Sequence, residues 1–479
     1  MNKVIDFLKN NKFNFTIIAL YFIVAIFTMF HHELWRDEAQ VWCIVRDMDF
    51  TQIFQTARVE GHPFLWYLIL TPFAKLGADV LTMQIISLLL VFVAIIIFVF
   101  KAPCNNFLKT FVVFSSGLLY YMPIISRNYC LIPIFIFLAA SLFQKRKENP
   151  ILYSIIIVFL TNTHILTLGF CLILSLIFAI DLIKEKLDKT KIVAIFLLLA
   201  NFTFLFLCFY NMQNVNYATT MYAQSPKDIT TAIVFFAQIF FLFPLSMLPD
   251  WFSVPLFYIL TFLTLGFYFK NDKKIFLILL CALGFQWFIY YKIWYIGIVY
   301  QKSFLLMLVI LFCYWIYTEG NDKKSKLLTS LTMIFFILSF ISAPFNIMLE
   351  KDYQYSGSKQ LADYIRKNHN NEKEFNVWGY PFCFSSISAY LPDKKLYMIN
   401  KEYYITYYSF DTDKKAQKMP KSNSQYYITV ANYTIGQDYD KIFQSDPNII
   451  NLTEYNEIFS IYKKNNKKEK SYDVVIAVD

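Results

Sequence analysis

The chain has 479 residues, of which 57% are hydrophobic and 16% charged, and its formal net charge is +10. This apolar fraction is too high for a disordered chain, while 11 Gly and 8 Cys exclude a collagen-like or disulfide-rich protein. The positive charge could indicate nucleic-acid binding, but many basic residues lie in short loops between apolar stretches, as in the cytoplasmic loops of membrane proteins. The composition therefore predicts a polytopic membrane protein with no nucleic-acid partner.

Apolar stretches follow one another through the first 347 residues. Because about 20 apolar residues in a helix cross a hydrocarbon core of ~30 Å, we expect about 11 to 13 transmembrane helices. The shorter run 63–76 is expected to lie at the membrane surface or to re-enter the membrane. The predicted spans are 13–30, 79–100, 107–125, 129–143, 150–163, 165–183, 191–210, 231–249, 251–269, 274–290, 298–317 and 327–347.

The basic loops predict the orientation of the chain in the cytoplasmic membrane. Loops rich in Lys and Arg are expected on the cytoplasmic side, which places the first loop, residues 31–78, outside the cell. After residue 347 the composition becomes polar, and the pattern alternates between short strands and helices. We therefore expect a transmembrane domain of residues 1–347 that includes the external loop 31–78, followed by a small extracytoplasmic α/β domain of residues 348–479. Its expected strands are 375–380, 395–399, 426–430 and 474–478, and its expected helices are 358–367 and 385–391.

Titratable residues are concentrated in the first external loop. Asp37 and Glu38 are adjacent, so on a helix their side chains diverge by about 100°, and one can face a cavity while the other contacts a partner such as Arg36. This arrangement suits a general base with an orienting group, which is needed when a hydroxyl or amine attacks a sugar carbon. A solvated loop without catalytic function is the alternative.

The same loop carries candidate metal ligands. His31, His32, Glu60 and His62 have suitable side chains, although their spacing matches no HExxH-type motif. A divalent metal is thus a candidate cofactor, and the sequence does not decide whether one is used.

Basic residues on other predicted external loops could hold a phosphate. Arg127, in Ser-Arg-Asn-Tyr129, lies between two apolar spans, and its forked donors suit a phosphate; an arginine that contacts lipid headgroups is the alternative. Lys302 is a second candidate, with an interfacial aromatic belt as the alternative, and Arg36 is a third. His164 ends a short span and is either a site residue or a structural, hydrogen-bonded histidine.

Four of these motifs resemble a known family. Trp-Arg-Asp-Glu-Ala-Gln after the first span, Glu-Gly-His-Pro-Phe-Leu-Trp-Tyr, Ser-Arg-Asn-Tyr and Asn-Thr-His are similar to the GT-C fold glycosyltransferases that use polyprenyl-phosphate sugars. That group includes protein O-mannosyltransferases and aminoarabinose transferases, and the resemblance covers residues 1 to about 345. It implies that Asp37 is the catalytic base with Glu38 beside it, and that Arg127 holds the lipid phosphate. Where family members often carry an Arg before the late span, this chain has Tyr-Gln-Lys302.

The sequence thus predicts an integral membrane glycosyltransferase that moves a sugar from a polyprenyl phosphate to a glycan, lipid or protein acceptor outside the cytoplasmic membrane. A transporter or flippase of lipid-linked saccharides would use the same cationic patches without covalent chemistry. Repeated halves, broken helices and charges within the membrane, which are typical of transporters, are not evident in the sequence. A structural or receptor-like protein is the third interpretation.

Overall fold

The structure is a computed structural model. It describes residues 9–210, 228–240, 249–293, 300–321, 325–408, 419, 422–431, 433–436, 438–450, 456–465 and 475–477. The chain divides into two compact units. The first consists of residues 1–29, 57–66 and 85–347, and the second of residues 30–56, 67–84 and 348–479.

Helices dominate the chain up to residue 352. They are α1 (Lys12–His31), α2 (Arg36–Asp47), α3 (Phe50–Val59), α4 (Leu65–Lys75), α5 (Leu81–Lys101), α6 (Asn106–Val113), α7 (Leu131–Leu142), α8 (Pro150–Thr161), α9 (Leu168–Ile183), α10 (Lys189–Phe209), α11 (Ile229–Phe240), α12 (Asp250–Asn271), α13 (Lys273–Phe288), α14 (Tyr300–Glu319) and α15 (Lys326–Asp352). Two more, α16 (Ser358–Asn368) and α17 (Phe384–Tyr390), follow in the polar part of the chain.

Seven helical segments in the described ranges are long and apolar enough to cross a membrane, and three shorter apolar helices accompany them. The segments are Lys12–His31, Leu81–Lys101, Ile165–Ile183, Lys189–Phe209, Trp251–Asn271, Lys273–Tyr291 and Lys326–Asp352, and the shorter helices are Asn128–Leu142, Pro150–Thr161 and Phe304–Glu319. The predicted number of 11 to 13 spans exceeds the seven that meet these criteria. Several other apolar runs form helices of 8 to 12 residues, shorter than the length that these criteria require. The chain is a multi-pass membrane protein.

One predicted span is broken in the first unit. The expected helix 107–125 ends at Val113, and a π-helical turn, Gly117–Tyr121, follows it. Asn346 of α15 donates a hydrogen bond to Ser116 Oγ at 2.6 Å and accepts one from the Tyr121 hydroxyl at 3.4 Å. All three side chains are buried, so these polar groups satisfy one another in an apolar interior.

The polar part of the second unit forms a sheet of six strands. Its strands lie in the order β3 (Tyr403–Ile405), β2 (Lys395–Met398), β1 (Glu374–Trp378), β4 (Tyr426–Val430), β7 (Phe459–Lys464) and β6 (Tyr439–Gln444). The central strand β1 is parallel to both β2 and β4, and the outer pairings are antiparallel. A separate pair joins β5 (Tyr433–Ile435) to β8 (Val475–Ala477). Apolar side chains of the sheet and of α16 and α17 form the core: Leu361, Ile365, Phe375, Val377, Phe384, Ile387, Leu396, Met398, Ile428, Val430, Phe459 and Ile461.

The second unit also contains most of the first loop. Residues 30–56 and 67–84, which include most of the predicted external loop 31–78, group with the chain after residue 347. Helix α2 packs against α17: Arg46 donates to the backbone oxygen of Ser388 at 2.8 Å, and the Cys43 thiol lies 3.5 Å from the backbone oxygen of Ser385. Because these contacts join residues about 340 positions apart, no local sequence pattern could predict them.

Candidate functional site

Helix α2 begins at the acidic motif of the first loop. Trp35 is its N-cap residue and has an extended backbone, with φ −99° and ψ 173°. Glu38, three residues on, accepts a hydrogen bond from the Trp35 backbone N–H at 3.4 Å, so the helix supplies one partner for its own N-terminus. Asp37 and Glu38 both lie in the first turn, where the positive end of the helix dipole favours negative charge.

Glu38 is part of a buried chain of three titratable side chains. One ring nitrogen of His32, Nε2, lies 3.0 Å from Glu38 Oε2, and the other, Nδ1, lies 2.9 Å from Glu350 Oε1. All three side chains are fully buried. Burial lowers the pKa of His32, but the two carboxylates raise it more, so its pKa lies well above the ordinary value and the ring is an imidazolium at neutral pH. This cation fixes the start of α2 to the end of α15.

Asp37 has different surroundings from its neighbour. Its side chain is 45% exposed, and its Oδ1 lies 3.9 Å from Nε of Arg36. Glu38, one residue on, is completely enclosed and contacts His32. Of the two adjacent carboxylates, Asp37 is therefore the one that a molecule outside the protein can reach.

The residue before Asp37 is held through both its backbone and its side chain. The Arg36 N–H donates a hydrogen bond to Oε1 of Glu457 at 2.9 Å. The guanidinium lies 3.9 Å from the Cys383 sulfur and 5.0 Å from the centre of the Phe382 ring. These contacts engage Arg36 within the second unit, and its role as a phosphate ligand stays a prediction.

Two carboxylates at this end of α2 were not predicted. Glu350 lies 318 residues from His32, and Glu457 lies 421 residues from Arg36. In the sequence, Glu350 is a carboxylate at the end of an apolar span and Glu457 precedes a strand, and such positions are common on solvated surfaces. The sequence therefore gives only a weak indication that Glu350 belongs to this group, and none that Glu457 does.

A second group of predicted site residues lies in the first unit, at the end of α3. The helix ends at Val59, Gly61 takes a left-handed conformation with φ +73°, and the His62 N–H bonds to the backbone oxygen of Ala57 at 3.0 Å. This is a Schellman-type helix end, which requires a residue such as glycine that tolerates positive φ. The motif Glu-Gly-His-Pro therefore ends α3 and presents His62 immediately after it.

His62 lies beside Arg127. The distance from His62 Nε2 to Arg127 Nη2 is 3.3 Å. A guanidinium can only donate hydrogen bonds, so Nε2 is the acceptor, and a neutral His62 carries its proton on Nδ1. The half-buried guanidinium thus lies against the imidazole of His62 within the first unit.

His164 and Tyr129 extend this group. The ring centres of His62 and His164 are 5.7 Å apart, and those of Tyr129 and His164 are 4.8 Å apart. His164 also caps a short 3-10 helix, because its Nδ1 accepts a hydrogen bond from the Leu166 N–H at 3.1 Å. His164 is therefore a structural histidine and also a neighbour of the other predicted site residues.

A hydrogen bond fixes the two loops of this group to each other. Asn128, which follows Arg127, donates from its side chain to the backbone oxygen of Thr163 at 2.7 Å. We call Arg127, His62, His164 and Tyr129 the arginine–imidazole cluster. Glu60 lies in the turn after α3, one residue before Gly61, and is half-buried.

Two other predictions concern Lys302 and a metal site. The backbone of Lys302 lies in the first turn of α14, but its side chain lies outside the described residues. In the part of the chain that the structure describes, no group of three or more His, Cys, Asp or Glu side chains is placed to hold a metal ion. His32 and His62, two of the four proposed metal ligands, lie in different units.

Comparison with known proteins identifies the fold. No family model matches the chain, and no curated protein matches it. A crystal structure of ArnT from Cupriavidus metallidurans, bound to undecaprenyl phosphate, is similar, with a TM-score of 0.54 and 9% identity over 95% of this chain and 99% of that one. This likeness confirms the predicted fold class, a GT-C type membrane domain followed by a small α/β domain. At 9% identity it concerns the fold and not the reaction.

Proposed function

We propose that this protein is a membrane glycosyltransferase that transfers a sugar from a polyprenyl phosphate to an acceptor on the outer face of the cytoplasmic membrane. The observation that carries the proposal is the placement of Asp37 in a chain with the fold of ArnT. Its carboxylate is partly exposed at the start of a helix whose first turn is held by buried contacts. A reaction that needs a general base requires such a group, accessible to the substrate and fixed in position.

The donor class rests on two observations that point to a lipid phosphate. ArnT has the same fold and was crystallised with undecaprenyl phosphate. In this chain, Arg127 offers a forked set of N–H donors beside the rings of His62, His164 and Tyr129. The planar fork of a guanidinium matches the oxygens of a phosphate, such as the one on a polyprenyl chain.

The chemical step follows from these assignments. The acceptor hydroxyl or amine attacks the anomeric carbon of the donor sugar, and Asp37 takes the proton that the nucleophile loses. As the new bond forms, the bond between the anomeric carbon and the phosphate oxygen breaks, and the electron pair leaves with the polyprenyl phosphate. Arg127 stabilises the charge that develops on this leaving group.

Glu38 has a supporting role in this proposal. Its carboxylate is enclosed and contacts the His32 imidazolium, so an acceptor has no access to it. Glu38 instead accepts the Trp35 N–H and fixes the first turn of α2. The transfer step therefore uses Asp37 as the base and Glu38 as a positioning residue.

The test compares Asp37→Asn with the wild-type protein at saturating donor. Purified protein is incubated with a panel of polyprenyl-phosphate sugars, and release of polyprenyl phosphate is followed. Asparagine has nearly the same shape but cannot accept the proton, so turnover should fall ~100-fold or more while donor binding changes little. Asp47→Asn, the same replacement in the last turn of the same helix, is the matched control and should leave turnover nearly unchanged.

Two outcomes would change the assignment of the base, and a third would reject the donor class. Near wild-type turnover of Asp37→Asn would reject Asp37 as the base. A larger loss in Glu38→Gln than in Asp37→Asn, at equal amounts of folded protein, would move the base to Glu38. Release of no polyprenyl phosphate from any donor by the wild-type protein would reject the donor class.

A further inference from the structure

The N-terminus of α2 receives a carboxylate from the far end of the chain. Glu457 lies just before β7 and is 4% exposed. Its Oε1 accepts the backbone N–H of Arg36, the first residue of α2, at 2.9 Å, and its Oε2 accepts the hydroxyl of Ser356 at 2.6 Å. One buried side chain thus joins the acidic motif of the first loop to two segments that follow residue 347.

The local sequence cannot supply this contact. The first N–H groups of a helix lack partners within the helix, and an N-cap Ser, Thr, Asp or Asn usually accepts one of them. Trp35 occupies the N-cap position here, and its indole has no hydrogen-bond acceptor. Glu457 instead provides an acceptor for the N–H of Arg36, the first residue of the helix.

A buried carboxylate is a costly way to cap a helix. Burial raises the pKa of Glu457 to about 7, although Arg36 and the Ser356 hydroxyl lower it. An N-cap serine would instead accept the N–H of the second or third residue of the helix and leave the Arg36 N–H without this acceptor. What Glu457 adds is a connection, since it fixes α2 to the chain that forms the sheet of the second unit.

The connection acts on the residue next to Asp37. Glu457 holds the Arg36 backbone, and the Arg36 guanidinium lies 5.0 Å from the Phe382 ring and 3.9 Å from the Cys383 sulfur. Asp37 follows directly and cannot move far unless Arg36 moves. A displacement of a reacting group by about 1 Å can lower a rate by roughly 100-fold.

We propose that Glu457 is a positioning residue for the transfer reaction, which holds the first turn of α2 and thereby sets the position of the Asp37 carboxylate. This inference rests on the proposed function, and it gives part of the second unit a role in turnover. Glu457 itself contacts neither donor nor acceptor in this role. Its loss should therefore affect kcat and leave the KM for the donor nearly unchanged.

The first measurement does not depend on activity. Hydrogen–deuterium exchange of peptides covering residues 35–40 reports whether the first turn of α2 is held. In Glu457→Ala, exchange there should be roughly 10- to 100-fold faster, as expected when a buried N–H loses its acceptor. Unchanged exchange would overturn the inference, whatever reaction the protein catalyses.

The second measurement is turnover with the polyprenyl-phosphate sugar that the wild-type protein uses. Glu457→Ala should lower kcat by roughly 10- to 100-fold. Glu457→Gln keeps an oxygen that can accept the Arg36 N–H, so it should retain most of the wild-type kcat. If Glu457→Ala does not fold, Glu457→Asp, which keeps the charge but has a shorter reach, should still lower kcat several-fold.

The matched control is Glu374→Ala. Glu374 lies in β1 of the same unit and accepts two side-chain hydrogen bonds, from the hydroxyls of Tyr404 and Ser422, both of which lie in the polar part of that unit and not in α2. An equal loss of kcat in Glu374→Ala would reduce the effect to general destabilisation of the unit and overturn the positioning role. If the wild-type protein uses none of the donors while exchange changes as expected, the proposed function fails and the helix-holding role of Glu457 stands.

Discussion

Replacing His32 with Ala should strongly destabilise the protein. His32 lies between two buried carboxylates, at 3.0 Å from Glu38 and 2.9 Å from Glu350, and none of the three side chains is exposed. Removal of the imidazolium leaves two negative charges enclosed without the cation that compensates them. Breaking a buried ion pair in this way costs ~3–5 kcal/mol.

Thermal unfolding in detergent is the appropriate assay. At about 2 °C per kcal/mol for a chain of this size, His32→Ala should lower the unfolding midpoint by on the order of 5 to 10 °C. A triple variant, in which Glu38 and Glu350 are also replaced by Gln, removes the uncompensated charges and should recover part of the loss. This comparison separates the effect of buried charge from the loss of packing around the ring.

The dependence on pH provides a second check. The pKa of His32 is raised on folding, so its contribution to stability is fully present below about pH 6.5 and is lost only as the pH rises through the higher folded-state value. The wild-type protein should therefore keep its stability advantage over His32→Ala at pH 7.5. A loss below ~1 kcal/mol, or an advantage that disappears between pH 6 and 7.5, would refute the imidazolium bridge.

Two further predictions concern Arg127 and Glu457. Arg127→Ala should weaken use of the donor by about 2 kcal/mol, roughly 30-fold, because a charge-assisted contact to phosphate is lost, and Lys should rescue it in part. Unchanged donor kinetics in Arg127→Ala, matching the exposed-site control Arg366→Ala, would assign Arg127 to lipid headgroups. Glu457→Gln should flatten the fall in wild-type stability between about pH 4.5 and 7, where the folded protein keeps a proton that the unfolded chain loses. The Arg36 guanidinium and the Cys383 thiol face Glu457. A rise of its pKa from 4.5 to about 7 on folding corresponds to a loss of roughly 3 kcal/mol of wild-type stability across this pH range. Equal slopes of the unfolding midpoint against pH in the wild-type protein and in Glu457→Gln would contradict this prediction.

Long apolar runs were sufficient to predict helices and their bounds. The first predicted span, 13–30, appears as Lys12–His31, and the span 165–183 appears within the described helices at the same bounds. A run of about 20 apolar residues has one stable state in a bilayer, a helix that satisfies its own backbone. In the polar tail, short strand-like runs likewise located β4 at Tyr426–Val430 and β2 near Lys395–Met398.

Where contacts between distant residues decide the structure, the sequence was insufficient. The run 107–125 is mostly apolar, yet its helix ends at Val113 and a π-helical turn follows, with Asn346 bonded beside that turn. Strands β6 and β7 were not predicted, because much of their stability comes from pairing with each other and with β4.

The candidate site shows the same division. Asp37, Glu38 and Arg127 were recognisable because their residue types and loop positions carry chemical meaning without a partner. Which of the two adjacent carboxylates is enclosed was decided by His32 and by Glu350, which lies 318 residues from it. The sequence set which residues carry charge, whereas the folded chain set which charges are buried and held, since burial depends on contacts that only tertiary packing creates.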